Sequence, residues 1–262
     1  MEPVRSYQAL RMERGELRQA ADDLVAEVPL SISVNGEPLT ITMQTPGSER
    51  DLVRGLLYTE GIWKSRKEEP EWTAREYDSQ GYLTAVDIAM DHRHRSAISR
   101  RSLLSVAACG ICGKTEFLPP EAPARFNADA ETHDMIHELF RKMGEEQHMF
   151  HRTGGCHAAA AFHLDGSLLC VREDIGRHNA VDKVIGALLR EGRLTEATTL
   201  AVSGRVSYEI VAKAFAAGIP VIAAVSSVST LAVDMARECG ITLAGFCREG
   251  RATFYSYPSR LI

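Results

Sequence analysis

Apolar and polar residues alternate from Val28 to Val34 (VPLSISV), and a second such pattern follows from Pro38 to Met43. A period of two buries one face of an extended chain, so both segments are predicted strands. Asn35-Gly36 between them is the pair that a two-residue hairpin turn favours. The period then lengthens: Leu52, Val53, Leu56 and Leu57 fall on one side of a helix. Ser48 is placed as its N-cap, with Asp51 three residues on, and Gly61 as its stop. Thr73 to Tyr77 and Tyr82 to Ile88 return to the strand pattern around Gly81. The opening part of the chain therefore predicts a small α+β unit.

Further on, Ile136, Leu139, Phe140 and Met143 mark one face of a helix for which Asn127 or Asp129 is the candidate cap. Strand and helix patterns then alternate. Ala158 to Leu164 and Leu168 to Arg172 are predicted strands around the turn Asp165-Gly166, and Asn179 to Arg190 a helix. Thr199 to Val202 (strand), Tyr208 to Ala217 (helix), Pro220 to Val225 (strand) and Thr230 to Cys239 (helix) continue the series. Ile241 to Phe246 and Ala252 to Tyr257 close it as strands. Such alternation predicts a layered α/β domain with right-handed crossovers. The division expected is a small α+β domain over 1–106, a loop and linker over 107–126, and the α/β domain over 127–262.

Composition narrows the functional classes. A net charge of -5 excludes the basic footprint of a non-specific nucleic-acid binder. No run approaches the ~18 apolar residues of a membrane helix, and no signal-peptide pattern follows Met1. Six cysteines in 262 residues are too few for a disulfide scaffold. The expectation is a cytoplasmic protein with reduced thiols.

Cys109-Gly110-Ile111-Cys112-Gly113 carries the sharpest chemistry. A glycine after each cysteine leaves both sulfurs approachable, and the Cys-x-x-Cys spacing commonly lowers a thiol pKa toward neutrality. Such a pair can bind metal, shuttle electrons or carry sulfur as a persulfide. The basic run from His92 to Arg101 precedes it, either as a solvated linker or as a draw for an anionic partner. Leu118-Pro119-Pro120 with Pro123 follows, which places the cysteines on an inter-domain loop.

Polar residues gather after the strands of the second domain, in Arg172 to Asn179, Ser203 to Ser207, Ser226 to Ser229 and Cys247 to Arg251. Ligands of open α/β sheets bind beyond the carboxyl ends of the strands, where helix N-termini favour anions. Arg172, Arg177, Arg205, Arg248 and Arg251 are therefore expected on one edge, suited to a phosphate-bearing ligand. Glu173 and Asp174 are read as orienting Arg177 and His178 rather than moving a proton. His157, after Gly154-Gly155-Cys156, either lines the site or is a hydrogen-bonded core residue. Cys156, Cys170, Cys239 and Cys247 stand among apolar neighbours and are read mainly as small buried hydrophobes.

A zinc deaminase needs His-x-Glu followed by Pro-Cys-x-x-Cys. Here the cysteines precede His157, Ala159 stands in place of the glutamate, and Ala108 in place of the proline. That activity is excluded. A structural zinc site closes with four ligands, whereas only Cys109, Cys112 and His157 suggest themselves, so no structural metal is expected.

Together these motifs resemble the formate dehydrogenase accessory sulfurtransferases, the FdhD family. The resemblance rests on Ala108 to Lys114 (ACGICGK), Thr153 to Ala159 (TGGCHAA), Glu173 to Lys183 (EDIGRHNAVDK), Ser203 to Ser207 with Glu209, and Gly245 to Arg248 with Tyr255, Pro258 and Arg260. It implies a cytidine-deaminase-like α/β fold for the second domain. It implies a sulfurtransferase that passes persulfide sulfur from a cysteine desulfurase to the molybdenum cofactor, in bis-guanine-dinucleotide form, for formate dehydrogenase. On that likeness Cys109 carries the sulfur with Cys112 as its partner, and Phe246, Cys247, Arg248, Glu249, Gly250 and Arg251 bind the cofactor. Arg177, His178 and Arg205 join them from the polar loops. A homodimer is also implied. Ser227-Val228-Ser229 departs from the proline-bearing turn expected there, which weakens that loop's claim to cofactor contacts. Two other readings stay open: a non-catalytic cofactor carrier, and an interaction module held together by metal at the Cys-x-x-Cys pair.

Overall fold

The computed structural model describes residues 2–90 and 135–260. Cys109, Cys112, the basic run from His92, the proline turn and the caps expected at Asn127 or Asp129 lie outside them.

The chain opens with a hairpin that the alternation rule does not reveal, β1 (Val4–Glu13) paired with β2 (Glu16–Val25). Its turn is Arg14-Gly15, with φ of 52° and 88°. Most of its side chains face solvent on both sides, so no burial imposes a period of two on the sequence. Its base is fastened by the Ala26 N–H donating to Pro3 O (2.7 Å) and by Arg152 paired with Asp23 (2.9 Å).

β3 (Val28–Val34), β4 (Glu37–Gln44), β5 (Glu71–Tyr77) and β6 (Leu83–Ala89) form a four-stranded sheet in the order β4-β3-β6-β5. Leu30, Ile32, Val34, Val86 and Ile88 pack on Leu52, Val53 and Leu57 of helix α1 (Glu49–Thr59). Asn35-Gly36 turns as expected, with φ of 51° and 79°. Ser48 occupies the N-cap position, but its hydroxyl makes no capping bond. Glu49 instead accepts from the Gly47 N–H (3.0 Å). Asp51 is drawn away to Arg172 (2.9 Å).

The second unit is the layered α/β domain. Its six strands are β7 (His157–Phe162), β8 (Leu168–Asp174), β9 (Thr199–Val202), β10 (Val221–Ala224), β11 (Thr242–Arg248) and β12 (Arg251–Ser256), in the order β12-β11-β10-β9-β7-β8. β9, β10 and β11 are parallel and joined through α5 (Tyr208–Ala217) and α6 (Thr230–Glu238). β7 and β12 run against their neighbours. Alternate residues separate the two faces. Ala159, Ala161, Leu200, Val202 and Ile222 share a core with α4 (Arg177–Arg190), α5 and α6. Ala158, Ala160, Phe162 and Ala201 pack on Leu139 and Met143 of α2 (Met135–Glu145). Both faces are covered, which is why β7 reads as an unbroken apolar run. One further helix, α3 (His148–Thr153), has too few apolar positions to announce itself.

The two units meet at α1 and α4. While the Leu52 face of α1 serves the small core, Asp51, Gly55 and Tyr58 lie against the α/β domain. Thr59 of α1 donates to Asp182 (2.8 Å) on α4, and Lys213 of α5 donates to both carboxylate oxygens of Asp182 (2.7 and 2.9 Å). Among the described residues no helix is long and apolar enough to cross a membrane.

Candidate functional site

β8, β9, β10 and β11 all point the same way, so their carboxyl ends share one edge, and antiparallel β7 begins there with His157. Helix α4 starts at this edge with Arg177, and α5 starts behind Ser207. The N-cap of α4 is Gly176, which has no side chain to cap with, and the Ser207 hydroxyl makes no capping bond to α5. Two helix N-termini therefore add N–H donors to a line of cations.

Gly204 brings the centre of the site together. A Cβ there would stand 3.2 Å from His157 Nδ1 and 3.3 Å from Arg177 Cβ and Cδ, so the absent side chain lets these two residues close over the β9 turn. Ser203 Oγ lies 3.4 Å from His157 Nδ1 and accepts from the Ala158 N–H (2.9 Å). Burial, then the charge of Arg177, lowers the His157 pKa below its ordinary 6.5, which keeps the ring neutral at pH 7. His178 Nε2 sits 3.1 Å from Ser207 Oγ and 3.0 Å from Glu209 Oε2, while Arg205 is exposed beside them. A cavity of about 460 Å³ opens next to His157, walled by Phe140, Phe150, Gly155, Cys156, Ser203 and neighbours. Neither this cavity nor the Ser203 contact was visible in sequence, because residues from α2, α3, the start of β7 and the turns after β8, β9 and β10 build them.

A neutral His157 is also a pH-dependent element of stability. Its folded pKa is depressed, so as pH falls through the unfolded value the unfolded chain takes a proton that the folded chain resists. The stability is present above that value and is lost below it. Lowering the pH from about 7 to about 5.5 should destabilise the wild type more than His157→Gln, by at most ~1.4 kcal/mol per pH unit. Parallel pH slopes in urea unfolding would show that His157 contributes nothing.

Several polar residues of the long EDIGRHNAVDK string do structural rather than orienting work. The Glu173 carboxylate accepts from the Met149 and Phe150 N–H groups (2.8 and 2.7 Å) and so caps α3. Asp174 is fully buried, paired with Lys183 (2.6 Å), and accepts from the Thr45 and Gly176 N–H groups (3.0 and 2.8 Å). Asn179 donates to Met43 O (2.7 Å). The reading of Glu173 and Asp174 as orienters of Arg177 and His178 is thus corrected: they satisfy backbone groups at a buried seam. Arg172 likewise leaves the expected edge for Asp51 and Val171 O (both 2.9 Å).

Phe246 to Arg251 occupies the far end of the same edge. Phe246 has a φ of 53° at an irregularity in the β11–β12 pairing and is 41% exposed. Arg248 is exposed, and Glu249-Gly250 forms the turn with φ of 51° and 75°. Arg251 pairs with Glu249 (2.9 Å) in open solvent. Cys247 faces the other way, into the core with Ile136, Val221 and Ala244. Its side chain therefore cannot reach a ligand on the exposed edge where Phe246 and Arg248 stand.

Burial also pushes up the thiols of all four described cysteines, Cys156 to about 12 and Cys170, Cys239 and Cys247 to about 11. Almost none of these is thiolate at neutral pH, and the thiolate is the nucleophile. Native alkylation with iodoacetamide should therefore label at most Cys109 and Cys112, with the other four reacting only after unfolding. Rapid native labelling of Cys156 would contradict this.

The fold and this edge define an α/β protein that presents cations and helix N-termini across the carboxyl ends of its strands. The chain belongs to the FdhD/NarQ family, whose model matches residues 25–262. It is 44% identical to the sulfur carrier protein FdhD of Nocardia farcinica over 94% of this chain and 90% of the relative. The protein of the same name from Sulfolobus acidocaldarius is 37% identical over 98% of both. The crystal structure of a candidate formate dehydrogenase accessory protein from Desulfotalea psychrophila shares the fold, with a TM-score of 0.76, 21% identity and full coverage of both chains.

Proposed function

We propose that this protein is a sulfurtransferase in which Cys109 carries sulfur from a cysteine desulfurase to the molybdenum cofactor of formate dehydrogenase. The observation that carries the reading is the separation of its thiols. Four of six cysteines are buried and held protonated, which leaves the Cys109–Cys112 pair, each cysteine followed by a glycine, for the chemistry. The relatives' designation as sulfur carriers points the same way.

In the loading step the Cys109 thiolate attacks the outer sulfur of the donor's cysteine persulfide. The donor S–S bond breaks, a new S–S bond forms on Cys109, and the donor leaves as a thiol, so no external oxidant is needed. In the release step Cys112 attacks Cys109 Sγ. The outer sulfur leaves as hydrosulfide, reduced by two electrons, while the two cysteines become a disulfide that a cellular dithiol returns to thiols.

The acceptor is a substrate with a guanine dinucleotide on each side, and its phosphates suit Arg177, Arg205 and the N-termini of α4 and α5. Phe246, Arg248 and Arg251 extend the grip at the far end of the edge. Neutral His157 and its Ser203 partner offer polar contacts without adding charge. Formate dehydrogenase is the partner that receives the finished cofactor.

The decisive test is mass spectrometry after incubation with a desulfurase and cysteine. The tryptic peptide containing Cys109 should gain ~32 Da, one sulfur atom, and Cys109→Ala should not. Sulfur found only on Cys156, Cys170, Cys239 or Cys247 overturns the assignment. Full maturation of formate dehydrogenase by a Cys109→Ala, Cys112→Ala double variant would favour the non-catalytic carrier instead.

A further inference from the structure

A second cavity, of about 430 Å³, shares no lining residue with the first and lies at the start of α1. Its walls come from four places: Ser48, Glu49, Arg50 and Asp51 at the helix start, Trp72, Arg75 and Tyr77 on β5, Tyr82 and Leu83 at the start of β6, and Arg190 at the end of α4. The Arg50 guanidinium carbon lies 5.0 Å from the Trp72 ring centroid, and that of Arg75 5.2 Å from it. Cation–π attraction to one indole thus holds two guanidiniums in the lining of the same cavity. Among the described residues neither arginine pairs with a carboxylate.

The carboxylates nearby are already engaged. Asp51 binds Arg172 and Arg190, and Glu49 accepts from the Gly47 N–H. Three arginines face two acids in the lining, a positive surplus on a protein of net charge -5. The Ser48 hydroxyl makes no cap bond, so it is available to a ligand as a further donor. Two guanidinium forks and a hydroxyl supply more donors than the two oxygens of a carboxylate use well, but suit the three terminal oxygens of a phosphate. The cavity falls in the size range of small-ligand sites, roughly 300–1,000 Å³, and aromatic rings cover part of its wall.

We infer that this cavity binds a small phosphomonoester, with its phosphate held by Arg50 and Arg75 and its organic part against the aromatic lining. The site is independent of the sulfur-carrying reading and stands or falls separately. The chain has only two tryptophans, so Trp63→Phe leaves Trp72 as a fluorescent reporter within the site.

Phenyl phosphate, inorganic phosphate and benzoate would each be titrated into Trp63→Phe at constant ionic strength, with calorimetry on the wild type in parallel. The expected result is saturable binding of phenyl phosphate, at least ~5-fold tighter than inorganic phosphate because the ring buries apolar surface. It should weaken at least ~10-fold in Arg50→Gln/Arg75→Gln, each guanidinium supplying charge-assisted bonds. Both arginines are exposed, so that variant should fold. An absence of saturable binding by calorimetry, or undiminished binding by Arg50→Gln/Arg75→Gln, overturns the site. Benzoate binding as tightly as phenyl phosphate overturns the phosphate assignment.

Discussion

Replacing Gly186 with alanine should cost roughly 3 kcal/mol or more of stability, at the upper end of what overpacking does, because the obstructing atoms are backbone. A Cβ at Gly186 would lie 1.8 Å from Asp51 O and 2.8 Å from Gly55 N, while one at Gly55 would lie 1.9 Å from Asp182 O. Helices α1 and α4 thus touch backbone to backbone, and no rotamer change can make room for a methyl group on either. The helices would have to separate, and that separation would open the seam where Thr59, Asp182 and Lys213 meet and where Asp51 binds Arg172. For a chain of this size the loss corresponds to roughly 6–12 °C in Tm. Gly144 on α2 is the internal control, since a Cβ there meets nothing within 4 Å. Gly144→Ala should be neutral or stabilising by up to ~1 kcal/mol through the helix preference of alanine. Equal melting temperatures for Gly186→Ala and Gly144→Ala would refute the close crossing.

Lys183→Met should cost roughly 3–5 kcal/mol, the usual penalty for breaking a buried ion pair from one side. Lys183 and Asp174 are 1% and 0% exposed and 2.6 Å apart. The ammonium also donates to Thr45 O (2.6 Å) and Glu173 O (3.3 Å), so its loss strips the buried carboxylate of its counter-charge and two carbonyls of their donor. The damage would spread to function, because Asp174 stands at the strand end from which Gly176 and Arg177 enter the site. Urea unfolding reads the stability, and nucleotide titration of the folded fraction reads the site. A loss below ~1 kcal/mol would refute the buried pair as a major contributor to stability.

Both experiments probe residues whose importance the sequence signalled only indirectly. The EDIGRHNAVDK string marks the chain's family, yet Glu173, Asp174, Asn179 and Lys183 spend their polar atoms on a helix cap and a domain seam. A linear sequence exposes that a polar residue is present within an apolar stretch, not which distant backbone group needs it. Thr45, Met43 and Met149 lie far from this string along the chain, and only folding brings them within bonding distance.

By itself the sequence determined the strands and helices whose burial is one-sided or complete. Val28–Val34, Thr199–Val202 and Tyr208–Ala217 fall where the periodicity puts them, because a core imposes its period on every residue it covers. The sequence also determined the layered α/β class and singled out the Cys109–Cys112 pair, since both are local patterns. Tertiary structure alone decided the rest. It paired β1 with β2, whose exposed faces carry no period, and it turned Arg172 toward Asp51. It closed His157, Arg177 and Gly204 into one site from three separate elements. The physical reason is the same in each case: local patterns record whether a residue is buried, while its partner is fixed by contacts between segments far apart in sequence.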